Sequence, residues 1–315
     1  MVNTLFFLAG LTELYFGADW LVKGASRLAV ALNVQPLVVG LTVVAFGTSL
    51  PEFVVSFIGA LKGLPDIALG NIVGSNIVNI GLILGLSAII FPLSVHMRLI
   101  RFETPFMIFA AVLLFLVSLK GIISRIDGIL FIAAFTAYIA YTIKVAKKEA
   151  EAVKAEYQEF LQKRDSVIKD IILIIAGLAV LIIGAEMLVR SAVSLARAMG
   201  ISELIIGMTI VAAGTSLPEF ATSTVAAFKK EADISIGNIV GSNIFNILFI
   251  LGVTGIIQPI AVNPEALKFH MPVIIFFSLI FFVFMSIGSV LSRLRGALLV
   301  LLYIGYVIYI TTIQP

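Results

Sequence analysis

Apolar residues run along this chain in long blocks separated by short clusters of charge, proline and glycine. Ten blocks can be marked, at roughly 3–22, 36–60, 67–91, 104–119, 128–143, 171–190, 204–228, 234–258, 271–287 and 296–313. Each is near the ~20 apolar residues that a helix needs to cross a bilayer. The first and sixth continue past their first basic residue, to about Leu32 and Met199. Helices of that length cross a membrane strongly tilted. The pattern predicts an all-α integral membrane protein with ten transmembrane helices.

The one long hydrophilic stretch is 144–170, which mixes seven basic with six acidic residues. It reads as a solvated helix connecting two halves, 1–143 and 171–315. No basic segment precedes the first apolar block, so Met1 to Val22 is expected to be a span and not a cleaved leader.

Composition agrees with the pattern. Of 315 residues, 61% are hydrophobic and 12% charged, about half the charged share of a soluble domain, and mean hydropathy is +1.16. A soluble enzyme, a nucleic-acid binder and a disordered scaffold are excluded. The absence of cysteine removes disulfides, thiolate metal sites and thiol redox chemistry. Loops joining ten spans alternate sides, so Lys and Arg can be counted by side. Fifteen fall with the central stretch and six opposite, or eight against six without that stretch. The positive-inside rule then places 144–170 in the cytoplasm and both termini outside the cell membrane. The net charge of +3 is accounted for by orientation and calls for no anionic or protein partner.

The chain also repeats itself. Shifted by 167 residues, 17–93 aligns with 184–260 without a gap, and 41 of the 77 positions are identical. GTSLPEF falls on GTSLPEF and GNIVGSNIVNI on GNIVGSNIFNI. A half with five spans inserts its duplicate upside down, giving an inverted-topology repeat. Two such halves can exchange inward-open and outward-open states around a site at their interface, as secondary transporters do.

Identity between the halves peaks where membrane helices are poorest. Gly47-Thr48-Ser49-Leu50-Pro51-Glu52 interrupts the second span, and Gly214 to Glu219 interrupts the seventh. Freed backbone groups at membrane depth must be satisfied by protein, water or ligand. The companion segments Gly70 to Asn76 with Asn79, and Gly237 to Asn243 with Asn246, add small and amide residues. Their glycines are expected to let these helices approach the broken ones closely. Glu52 and Glu219 have no Lys or Arg within a helical turn. Two carboxylates at equivalent points of broken helices repel each other, which invites a shared proton or a cation between them. The surrounding donors are all oxygen: Thr48, Ser49, Ser75, Asn79, Thr215, Ser216, Ser242 and Asn246. With no cysteine and no histidine expected within a span, soft transition metals are disfavoured. Ca²⁺ takes six to eight oxygens in flexible geometry, its charge matches two carboxylates, and the same oxygens suit Na⁺.

Other charges read more plainly. Asp19/Lys23 and Glu186/Arg190 are i,i+4 ion pairs at equivalent points of the repeat. Glu13 lies within the first span without a basic neighbour. His96 and His270 flank loops and are expected to be solvated, and Trp20 with Tyr303, Tyr306 and Tyr309 are expected as interfacial anchors.

At these residues the chain resembles the cation/Ca²⁺ exchanger superfamily, and within it the prokaryotic sodium/calcium exchangers, whose two alpha repeats carry GTSLPE followed by GNIVGSN. The resemblance covers essentially the whole chain. It implies ten helices in two inverted halves, and antiport of Na⁺ against Ca²⁺ by alternating access, usually three Na⁺ for one Ca²⁺. The ions are cargo, and no cofactor is implied. Glu52 and Glu219 match the family's central carboxylates. Thr48, Ser49, Ser75, Thr215, Ser216 and Ser242 match oxygen ligands, and Ala45 and Ala212 match backbone-carbonyl donors. Asn246 departs from the Asp of many members, which resembles the potassium-independent branch. The apolar Ile72-Val73 and Ile239-Val240 disfavour the proton-coupled branch. A proton-driven Ca²⁺ antiporter and a passive cation channel are the alternatives. An intramembrane hydrolase is disfavoured because Ser49 and Ser216 lack an in-span base.

Overall fold

The computed structural model describes residues 2–156, 167–198 and 212–312, and within them the chain is almost entirely helical. Helix α1 (Val2–Leu32) leads to α2 (Pro36–Val39), a π turn at Gly40–Val44, α3 (Ala45–Thr48) and α4 (Leu50–Leu61). Helix α5 (Pro65–Val78) passes through a π turn at Asn79–Leu84 into α6 (Gly85–Ile90). Strand β1 (Leu93–Ser94), a π turn at Leu99–Glu103, α7 (Thr104–Ser118), strand β2 (Ile122–Ile123) and α8 (Arg125–Glu156) complete the first half. The second half holds α9 (Val167–Ala198), α10 (Ala212–Gly214), α11 (Leu217–Phe228) and α12 (Ala232–Ile244). A π turn at Phe245–Ile250 then leads to α13 (Leu251–Ile257), strand β3 (Ile260–Ala261), a π turn at Ala266–His270, α14 (Met271–Ser286), strand β4 (Val290–Leu291) and α15 (Arg293–Thr312).

Among the described residues, eight helices are long and apolar enough to cross a membrane. A ninth is the pair Pro36–Thr48 and Leu50–Leu61, bent by 46°. The chain is thus a multi-pass, all-helical membrane protein. Of the expected seventh span, 204–211 lie outside the described residues, as does Met199. The separate helix expected in 144–170 is corrected for its first part, because 144–156 continue α8. No proline or glycine stands between Tyr141 and Glu156 to end that helix. Residues 157–166 lie outside the described residues.

Two features set the packing. The α5–α6 and α12–α13 spans form the centre, and every residue from Ile234 to Leu248 is buried. Gly241 permits this at one point, since a Cβ there would lie 2.5 Å from the Leu41 carbonyl oxygen. The second feature is the pairing of α1 with α9, where a Cβ on Gly17 would lie 2.7 Å from the Leu181 nitrogen. Small residues that let backbones touch are how helices associate in lipid, where the hydrophobic drive between them is absent.

Two short antiparallel ribbons tie the halves together. Leu93 pairs with Leu291 and Ser94 with Val290, while Ile122 pairs with Ala261 and Ile123 with Ile260. The repeat carries Leu93 onto Ile260, so the two ribbons are counterparts, each with one strand from each half. His270 corrects an expectation. It ends the π turn that runs into α14, within a membrane-spanning helix, and its Nδ1 lies 2.9 Å from the Tyr306 hydroxyl.

Candidate cation-binding site

The site is assembled from two kinks and two buried helices. Pro51 offers no N–H to Gly47, and Pro218 offers none to Gly214, so each helix bends at the serine before. Ser49 adopts φ −83°, ψ 9° and Ser216 φ −87°, ψ 6°, so the two halves kink alike. The break is narrower than an unwound turn. Ser49 N–H still donates to Ala45 O at 3.1 Å, and Phe53 N–H to Ser49 O at 3.1 Å.

Each kink places a serine three residues before a glutamate, the sequence of a capping box. Locally, Ser49 would cap its own helix; it does not. Ser49 Oγ donates instead to Glu219 Oε1 of the other half at 2.8 Å, and Ser216 Oγ donates to Glu52 Oε1 at 3.1 Å. Both carboxylates are fully buried, 0% exposed, and lie within electrostatic reach of each other. Each also sits in the first turn of its helix, where the macrodipole favours negative charge.

A second pair of exchanged bonds flanks the first. Thr48 Oγ1 donates to Asn238 Oδ1 at 3.0 Å, and Thr215 Oγ1 to Asn71 Oδ1 at 3.2 Å. Those two asparagines brace the kinked helices. Asn71 Nδ2 donates to Ser56 Oγ (3.0 Å) and Glu52 O (3.2 Å), and Asn238 Nδ2 to Ser223 Oγ (3.0 Å) and Glu219 O (3.5 Å). Ser75 accepts from Ser216 Oγ at 3.2 Å, and Ser242 Oγ reaches both Glu219 Oε1 and Ala45 O at 3.4 Å. Ala45 O therefore faces the site, held by α3 one turn before the kink. Ala212 opens α10 in the corresponding place.

A third layer is made of amides. Asn79 Nδ2 donates to Asn243 Oδ1 at 3.0 Å and Asn246 Nδ2 to Asn76 Oδ1 at 3.1 Å. In turn Asn76 Nδ2 donates to Asn243 O, and Asn243 Nδ2 to Asn76 O, each at 3.4 Å. Nearly every bond in these layers recurs under the 167-residue shift.

Within these layers four buried oxygens have no hydrogen-bond partner among the described residues: Glu52 Oε2, Glu219 Oε2, Asn79 Oδ1 and Asn246 Oδ1. They form two repeat-related pairs, and all four are acceptors. A buried acceptor left unmade costs about 1–3 kcal/mol. Such a set is suited to a ligand that only accepts lone pairs, which is a cation. The structure also brings in residues that sequence reasoning did not single out as site residues: Asn71, Asn238, Ser56, Ser223, Asn76 and Asn243. Their signal was present, since buried amides in lipid-embedded helices need partners and GNIVGSN is identical in both halves. By contrast, Glu13 stands apart in a cleft of about 400 Å³ with Thr12, Phe16, Trp20, Val180 and Ile183.

Comparison with known proteins agrees over nearly the full chain. A family model described as sodium/calcium exchanger protein matches residues 2–144 and 169–312. The putative antiporter CaxA of Alkalimonas amylolytica is 37% identical over 311 residues, covering 97% of this chain and 98% of that protein. The sodium/calcium exchanger MaX1 of Methanosarcina acetivorans is 33% identical, covering 98% of each. A solved structure of the sodium-calcium exchanger NCX_Mj, soaked with zero Na⁺ and Ca²⁺, matches at a TM-score of 0.84 and 36% identity over 98% of both chains. By sequence and by fold, the chain belongs to the sodium/calcium exchanger protein family.

Proposed function

We propose that this protein exchanges Na⁺ for Ca²⁺ across the cell membrane by alternating access, with ten helices arranged as two inverted five-helix halves. The nine spans among the described residues support that count, with the tenth expected from the apolar block that ends in α11. So do the ribbons. Ten alternating spans put 93–94 and 290–291 on one side and 122–123 and 260–261 on the other, as the pairings require.

The observation that carries the reading is the set of four unpartnered oxygens, two of them carboxylate. With the hydroxyls of Thr48, Ser49, Ser75, Thr215, Ser216 and Ser242 and the carbonyls of Ala45 and Ala212, they offer more than the six to eight oxygens that Ca²⁺ takes. Two carboxylates neutralise one Ca²⁺, and the same groups hold Na⁺ when Ca²⁺ leaves. A cleft without a cation leaves two buried like charges facing each other, so it closes around cations and not around nothing. That is the physical basis of obligatory exchange. Three Na⁺ against one Ca²⁺ moves one net charge, and Asn at both 79 and 246 fits transport without K⁺.

Thr215 and Asn71 are partly exposed, whereas their repeat mates Thr48 and Asn238 are fully buried.

The test is flux into proteoliposomes. ⁴⁵Ca²⁺ uptake is expected to require an outward Na⁺ gradient, to respond to membrane potential and to ignore K⁺. Uptake that proceeds equally without a Na⁺ gradient sinks sodium coupling. Uptake driven by a pH gradient alone makes the protein a proton-coupled antiporter.

A further inference from the structure

The two amide oxygens of the proposed site can present oxygen to a cation only if each side chain is held one way round. An asparagine can flip and present NH₂ instead, which repels a cation. We infer that Asn76 and Asn243 are positioning residues that fix this choice, each setting the polarity of a site asparagine contributed by the other half. The inference deepens the cation-site reading above and rests on it.

Each relay starts from a group that cannot flip. The backbone carbonyls of Asn243 and Asn76 only accept hydrogen bonds. Asn76 faces Asn243 O at 3.4 Å, so the atom it turns there must be Nδ2. Its other atom, Oδ1, is then the one facing Asn246 at 3.1 Å, and Oδ1 also only accepts. Asn246 must therefore turn its Nδ2 toward Asn76, which leaves Asn246 Oδ1 as the free end. The same chain of necessity runs from Asn76 O through Asn243 to Asn79 at 3.4 Å and 3.0 Å. Both relays end on an amide oxygen that is buried and unpartnered among the described residues. All four side chains are at most 1% exposed, so no water competes for these bonds.

Neither Asn76 nor Asn243 offers the site an oxygen of its own, because each Oδ1 is occupied by the partner amide. Their contribution passes through Asn246 and Asn79. Asparagine is specified at 76 and 243 because one group must donate to a carbonyl and accept from an amide. A hydrophobic residue does neither, and aspartate at 76 would turn an acceptor toward Asn243 O.

A double-mutant cycle tests this in full-length protein reconstituted into liposomes, reading the Ca²⁺ KM and kcat of Na⁺-driven uptake. Asn76→Ala and Asn246→Ala are each expected to raise the Ca²⁺ KM about tenfold, with kcat changed less. The double variant is expected to be no worse than Asn246→Ala alone, because Asn76 acts only through Asn246. A structural role for Asn76 predicts effects that add. Additive effects, or an unchanged KM in Asn76→Ala, overturn the relay. If Asn246→Ala itself leaves KM unchanged, the cation-site assignment of Asn246 fails instead, and the two failures are distinct. The mirror cycle, Asn243→Ala with Asn79→Ala, gives the same readout on the second relay, and covers the case in which Asn76→Ala is not recovered folded.

Discussion

Ser49 stands one kink away from Glu52 yet hydrogen-bonds the carboxylate of Glu219, 170 residues further along the chain, at 2.8 Å. The first carboxylate of the site is correspondingly held by the second half's serine. Neither half therefore contains the whole of the proposed cation site. On that proposal, movement of one half against the other would change the ligand set directly, coupling binding to conformation without a relay. A hydrogen bond to a charged group contributes about 1.5–3 kcal/mol. Ser49→Ala and Ser216→Ala are each expected to raise the Ca²⁺ KM about tenfold or more in the flux assay. A normal KM in both would mean that the exchanged bonds are incidental.

Glu52→Gln and Glu219→Gln are expected to lose Ca²⁺ transport altogether. Either change leaves one carboxylate to balance a dication in a site sealed from water. Removing one partner of a buried charge pair costs about 3–5 kcal/mol, on the order of a hundredfold or more. ⁴⁵Ca²⁺ flux at matched protein levels is the measurement, and near-normal flux by both variants would remove these residues from the site.

The repeat pairs Lys229 with Lys62 and Asp19 with Glu186, but the structure treats them differently. Lys229 Nζ lies 2.5 Å from Asp19 Oδ1 and also donates to Asp19 O at 3.1 Å, fastening α1 to the turn before α12. Lys62 makes no ion pair among the described residues, and Glu186 pairs only with Arg190. Lys229→Ala is expected to speed hydrogen exchange across 227–236 about fivefold, as loss of about 1 kcal/mol implies, whereas Lys62→Ala leaves exchange across the equivalent residues 60–69 unchanged. Equal responses to the two substitutions would show that the asymmetry has no energetic weight.

Gly241→Ala tests the close packing at the centre. Its methyl group would meet the Leu41 carbonyl at 2.5 Å, Ala45 Cβ at 2.7 Å and Leu41 Cα at 2.8 Å, and the Leu41 backbone leaves little room to yield. Overpacking of this kind costs about 1–3 kcal/mol. Thermal unfolding in detergent should show a midpoint lowered by several degrees. An unchanged midpoint would mean that the helices separate there at no cost.

Much of this was legible in the chain itself. Length and apolarity of the blocks fix membrane helices because lipid admits little else. The 167-residue repeat marks Glu52 and Glu219, because two carboxylates at matching points of apolar spans have no packing explanation. Other features were not legible, and for particular reasons. Asn71 and Asn238 brace the kinks through bonds to residues 15 and 19 positions away on another helix, which no local spacing reveals. His270 flanks a loop in the sequence, and its contact with the Tyr306 hydroxyl, 36 positions further on, is not readable from local spacing.

The deepest division concerns symmetry. The sequence by itself determined two related halves, identical at 41 of 77 aligned positions, and with them the types of the candidate ligands. A chain with related halves offers each polar side chain partners in its own half and in the other, and the pattern of residues does not say which it takes. Tertiary packing decided that Ser49 serves Glu219 and not its own helix, that Asn246 turns its oxygen inward, and that Asp19 is fastened to Lys229 while Glu186 is not fastened to Lys62. These are choices between arrangements of nearly equal local energy. They are settled only when helices far apart in the sequence are brought into contact.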